Sequence, residues 1–167
     1  RGRDGEGAVT LREALTHPWL TVRTQIALGL FFIVAALPKI ADPPGFAHMV
    51  YNYKMLPGPL VNVMALVLPW AELLMGLALV AGIWRKTAAA LVGALLVVFI
   101  VAISVNLLRG NAIDCGCFDV TAANLTREER FRDMWMVIFR DVGMLFLVAQ
   151  GLLGARRVET DGEASAI

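Results

Sequence analysis

Cys115 and Cys117 are the only two cysteines among 167 residues, and they share one polar loop, Asn111-Ala112-Ile113-Asp114-Cys115-Gly116-Cys117-Phe118-Asp119. A Cys-Gly-Cys pair has three uses: a redox disulfide, half of a metal site, or two small residues in a turn. Cα atoms two apart along a chain reach the ~4.4–6.8 Å window of a disulfide, and Gly116 relaxes the backbone between them. So small a ring is expected to be strained, and strained, exposed disulfides are the exchange-active ones. Asp114 beside Cys115 favours the protonated thiol, whereas Arg109 would favour the thiolate in a loop that folds back. Zinc needs two further ligands, and the only histidines, His17 and His48, stand at no zinc-finger spacing, so no metal site is expected.

A second set of residues is conspicuous because of its surroundings. Glu72, Arg140 and Asp141 lie within long apolar runs, and Lys39 lies near the end of another. Charges at bilayer depth cost about 2.5–3.5 kcal/mol on insertion scales and face the bundle interior. One reading makes them a proton relay or contacts for a quinone head group, the one cofactor considered. The other makes them buried glue that sets helix register. Arg140 and Asp141 are sequence neighbours, about 100° apart on a helix, and are not expected to neutralise each other. The expected pairs are Glu72 with Arg140, and Asp141 with Lys39.

The elements that must carry these residues follow from composition. Hydrophobic residues make up 58% of the chain and charged ones 17%, against roughly 45–50% and about 25% in soluble domains. This is the balance of a small integral membrane protein. The net charge of +1 and the absence of a Lys/Arg run exclude a nucleic-acid partner. Four apolar runs, approximately 22–41, 60–83, 87–108 and 134–153, are long enough to cross a bilayer, which takes about 20 residues. In lipid the backbone must satisfy its own hydrogen bonds, so they are helices. The fold class is therefore all-α, an integral membrane four-helix bundle over residues 22–153. An N-terminal tail with a juxtamembrane segment (1–21) precedes it, and a polar tail (154–167) follows.

The chain opens on Arg1, which places the true start upstream or implies processing. The first apolar run is too long for a signal peptide and is read as a retained span. Thr16 is expected to cap the first helix, with Pro18 in its first turn. Trp19, Trp84 and Trp135 fall at span edges, as interfacial aromatics do. Between spans one and two, Phe46, Met49, Val50 and Tyr53 recur at helical spacing and predict a short interfacial helix, on which His48, Tyr51 and Tyr53 serve as anchors. Trp84-Arg85-Lys86 is expected to form a tight basic hairpin, and Pro69 to kink the second span.

Basic residues orient the bundle. The tails and the short hairpin hold eight (Arg1, Arg3, Arg12, Arg23, Arg85, Lys86, Arg156, Arg157); the other side holds six (Lys39, Lys54, Arg109, Arg127, Arg130, Arg132). The excess puts both termini in the cytoplasm and the cysteine loop outside, where disulfides persist. In a bacterium this is the multi-pass inner membrane, with the loop facing the periplasm.

Ala36-Leu37-Pro38-Lys39-Ile40-Ala41-Asp42-Pro43, followed by Phe46, Tyr51, Tyr53 and Leu56-Pro57, resembles the MauE (methylamine-utilisation) membrane proteins and their wider DoxX-like four-helix relatives. So do Leu68-Pro69-Trp70-Ala71-Glu72-Leu73 with Gly76, and above all Arg109-Gly110 with Asp114-Cys115-Gly116-Cys117-Phe118. The resemblance runs from about residue 23 to 151 and implies a membrane bundle that supports disulfide formation in exported proteins with a thioredoxin-like partner. Cys115 and Cys117 are then the redox pair, and Lys39, Glu72 and Arg140 family-typical polar positions. Asp119 stands where the family motif continues with glycine, which implies a different turn, although Asp tolerates positive φ better than most residues. Two functions remain: a thiol–disulfide redox protein or accessory, or a non-catalytic subunit of a larger membrane redox complex with the cysteines as a structural bridge.

Overall fold

The computed structural model of the protein describes residues 17–113 and 126–164. Thr16, Asp114, Cys115, Cys117 and Asp119 lie outside the described residues. Five helices are present among those described: α1 (Pro18–Ala41), α2 (Pro43–Asn52), α3 (Gly58–Ala81), α4 (Arg85–Leu108) and α5 (Arg127–Ala164). Four of them, α1, α3, α4 and α5, are long and apolar enough to cross a membrane.

Each boundary has a local cause. His17 is the N-cap of α1 in extended backbone, with Pro18 in the first turn, where its missing amide hydrogen costs nothing. Asp42 ends α1 and also caps α2, its carboxylate accepting from the Gly45 amide at 3.0 Å. The expected basic hairpin shifts. Gly82, at φ +75°, stops α3 in the left-handed conformation that glycine adopts without steric penalty. The connection is therefore Gly82-Ile83-Trp84, and Arg85 and Lys86 already belong to α4. α3 runs unbroken through Pro69. The polar segment expected as a tail after residue 153 continues α5 as far as Ala164.

Packing begins where α1 meets α3. Gly29 and Gly76 face each other so closely that a Cβ on either would sit 2.7 Å from the other's carbonyl oxygen. Without a hydrophobic driving force between helices in lipid, such small-residue contacts are how helix backbones approach. α5 packs against both α1 and α4 to complete the bundle. Leu28, Phe32, Leu79, Val92, Leu96, Met144 and Val148 form its main core. Leu30, Leu66, Leu74, Val98 and Phe146 point outward, as a lipid-facing surface requires.

The short α2 turns its apolar side onto the bundle. Phe46 and Met49 are buried, and Phe46 packs with Ala65 and Leu68 of α3. The predicted periodicity thus seats α2 as a roof over one end, with Tyr51 and His48 left on its outer face.

Gly76→Ala should force α1 and α3 apart and cost about 1–3 kcal/mol of overpacking. A methyl group added at Gly143 would meet nothing within 4 Å, so Gly143→Ala should leave thermal unfolding in detergent unchanged or slightly improved. Equal melting temperatures for the two variants would refute the close α1–α3 contact.

Candidate functional site

Two features meet at the roofed end of the bundle: a closed ion pair and the roots of the cysteine loop. Lys39, in the last turn of α1, is 4% exposed and Glu72, midway along α3, is 1% exposed. The Lys39 ammonium donates to both Glu72 oxygens, at 2.9 and 2.7 Å. The rings of Phe46 and Phe99 lie 5.3 and 5.6 Å from the same ammonium, close enough for cation–π attraction. Pro69, one turn before Glu72, removes a backbone hydrogen bond to Ala65.

This overturns the expected pairing. Glu72 takes Lys39 rather than Arg140, because the glycine contact holds α1 against α3 and the lysine stem spans the remaining gap. Arg140 pairs with its own neighbour. Its Nε and Nη2 donate to Asp141 Oδ1 at 3.0 and 2.8 Å. The two Cα–Cβ bonds diverge, but the long arginine side chain wraps back around the helix, with its guanidinium 5.0 Å from the Phe31 ring. Asp141 therefore does not pair with Lys39, although it is close enough to share the electrostatics of the Lys39–Glu72 pair. The four charges sum to zero.

The loop that carries Cys115 and Cys117 is held at both ends. Before it, the Asn111 amide donates to the Asn106 carbonyl at 3.0 Å. The Asn111 side chain reaches Asn106 Oδ1 at 3.4 Å, while Asn106 donates to Ala102 at 3.0 Å. Ile113 is buried with Ile103 and Met134, and Tyr53 and Phe131 pack around them. After the loop, Thr126 and Glu129 form a capping box: Glu129 Oε2 accepts from the Thr126 amide and hydroxyl at 2.8 Å, and the Glu129 amide donates to Thr126 Oγ1 at 3.3 Å. Arg127 bridges the two roots through a 3.2 Å bond to the Gly110 carbonyl. Residues 114–125 thus span two fixed points.

His48 is exposed, and its ring Nδ1 meets Asn52 Nδ2 at 3.4 Å. Sequence reasoning passed over Asn106, fully buried, and a polar cluster at the opposite end of the bundle. There Gln150 Nε2 donates to Thr21 Oγ1 at 3.4 Å. Gln25, 1% exposed, lies against Gly151 with neither of its amide atoms bonded among the described residues. Their signal was available as uncharged amides inside apolar spans, beside the louder charged positions.

A family model described as methylamine utilisation protein MauE matches residues 17–154. The chain is similar to the methylamine utilization protein MauE of Methylophilus methylotrophus, 38% identical over 108 residues, 64% of this chain and 57% of that protein. It is also 38% identical to that of Paracoccus denitrificans over 109 residues, 65% of this chain and 59% of that protein. With that of Methylorubrum extorquens it is 37% identical over 139 residues, 83% of this chain and 70% of the relative. The chain thus spans less than two thirds of the first two relatives. No solved structure matches.

The closed pair makes a sharp prediction. Removing one partner of a buried ion pair leaves an uncompensated charge and costs about 3–5 kcal/mol, whereas replacing both by apolar groups is close to neutral. Lys39→Met or Glu72→Leu alone should therefore sharply lower thermal stability in detergent, and the double variant should recover most of it. Single variants as stable as the parent would disprove the pairing.

Proposed function

The chain belongs to the MauE family of methylamine utilisation proteins, and from that premise we propose that it is a membrane-embedded accessory of methylamine utilisation that supports disulfide formation in an exported client. On this reading the chemistry belongs to Cys115 and Cys117. A thiolate of a thioredoxin-like partner attacks one sulfur of the Cys115–Cys117 disulfide, and the other cysteine leaves as a thiolate. The second partner thiol then attacks the mixed disulfide. The partner emerges oxidised, Cys115 and Cys117 emerge as two thiols, and two electrons and two protons have changed hands. A two-electron acceptor of the quinone class, soluble in the bilayer, takes them up and restores the disulfide.

The observation that carries the reading is the placement of the chain's only two cysteines on a single connection with both roots fixed. Ile113 anchors one root in the core, and the Arg127–Gly110 bond draws the other to it. One residue separates Cys115 from Cys117, so the covalent chain itself keeps the two sulfurs close, which favours a reversible bridge over two independent thiols. The reading takes the four-span arrangement as that of the DoxX-like proteins. It places both termini in the cytoplasm and the loop in the periplasm, in keeping with the basic-residue excess. Lys39, Glu72, Arg140 and Asp141 serve as a charge-neutral framework within the bundle.

In membranes that also contain the thioredoxin-like partner, Cys117→Ser or Cys115→Ser should trap a mixed disulfide visible on a non-reducing gel. The double serine variant should slow partner oxidation at least tenfold without loss of thermal stability. An impermeant maleimide should label the reduced loop from the periplasmic side. If the double variant oxidises the partner at the parental rate, the cysteines are a structural bridge and the protein is a non-catalytic subunit.

A further inference from the structure

Between α3 and α4, beneath the roof of α2, lies a cavity of about 180 Å³. Its walls include Phe46, Met49, Tyr53, Met64 and Phe99, and Lys39 stands among them as the charged group. Val98 and Met55, which also line it, are 57% and 43% exposed. One side therefore opens on the lipid-facing surface of the bundle. We propose that this cavity binds the ring of a lipid-soluble quinone, with a ring carbonyl accepting a hydrogen bond from Lys39 and the tail leaving past Val98.

The size fits one ring. A cavity of about 150 Å³ lined by apolar side chains takes up benzene, so this one, at about 180 Å³, has room for a six-membered ring with small substituents. The chemistry of the walls fits as well. An ammonium has three donors, and Glu72 takes two of them. The third is left for another acceptor, and Lys39 lines the cavity together with Phe46 and Phe99, whose rings lie 5.3 and 5.6 Å from the ammonium. Aromatic faces and polarizable methionine sulfurs at Met49 and Met64 suit a flat, electron-poor ring.

Charge decides between ligand classes. The Lys39–Glu72 pair is already neutral, and Arg140 and Asp141 cancel each other nearby. A fatty-acid carboxylate entering the cavity would leave one uncompensated negative charge in an apolar site, which is strongly disfavoured. A neutral carbonyl acceptor adds no charge and satisfies the remaining donor. The cavity also lies at the end of the bundle that carries the roots of the cysteine loop, since Ile103 belongs both to its wall and to the cluster that anchors Ile113.

The assignment takes the class of acceptor from the redox reading above, and its location and chemistry from the cavity. The test uses the purified full chain in nanodiscs, with a short-tailed ubiquinone as probe, read by thermal shift and by titration calorimetry. The parent should bind saturably and be stabilised, and so should the Cys115→Ser/Cys117→Ser variant. Ala102→Leu, which fills the cavity wall and leaves Lys39 and Glu72 in place, should weaken binding at least tenfold. Palmitate and lysophosphatidylcholine should not compete. Absence of saturable binding, parental affinity in Ala102→Leu, or displacement by palmitate each overturns the site. Binding that persists while partner oxidation is independent of the cysteines upholds the site and removes the redox reading. Partner oxidation that needs the cysteines, without ubiquinone binding, removes the site alone.

Discussion

A charge inside a bilayer-sized apolar bundle must be cancelled within a few ångströms, and the Lys39–Glu72 pair does this with two hydrogen bonds from one ammonium to one carboxylate. Four helices are committed by that single neutralisation. Lys39 comes from α1 and Glu72 from α3, while the rings that enclose the ammonium come from α2 and α4, through Phe46 and Phe99. Because an unpaired partner would be costly in so dry a setting, alternative registers of α1 against α3 are penalised well beyond what apolar packing alone would impose.

The pair in turn depends on close backbone approach. Gly29 and Gly76 let α1 and α3 approach until each glycine faces the other's carbonyl oxygen with no room for a Cβ, and across that close contact the lysine reaches its partner. α2 completes the arrangement. Asp42 ends one helix and caps the next, so the chain turns within a single residue and lays Phe46 back over the buried charge. The roof, the ion pair and the cavity beneath them are thus consequences of one tight corner.

The cysteine connection is mounted on the same end. Asparagine side chains fasten one root and a capping box with Arg127 the other. Polar bonds hold the loop at its base, while the bundle below is held by shape and by internal charge cancellation. This division matches the proposed role, in which the cysteine segment would meet a partner in water while the framework stays in lipid.

Much of this was legible in the residues alone. The four spans followed from apolar run lengths, because a lipid environment leaves the backbone no choice but helices. The α2 helix followed from the spacing of Phe46, Met49 and Val50, and the charges of Lys39, Glu72, Arg140 and Asp141 declared themselves by their setting. Their partnerships were not legible. Hydropathy and periodicity act along one helix, whereas the choice of Lys39 over Arg140 for Glu72 depends on which helices touch and how closely. That was decided by two glycines whose effect exists only in three dimensions. Arg140 and Asp141 show the same limit: their angular separation on a helix is a local property, but the reach of a long side chain around the cylinder is not. Sequence thus determined which groups must be buried and neutralised, and the tertiary structure alone decided which group neutralises which.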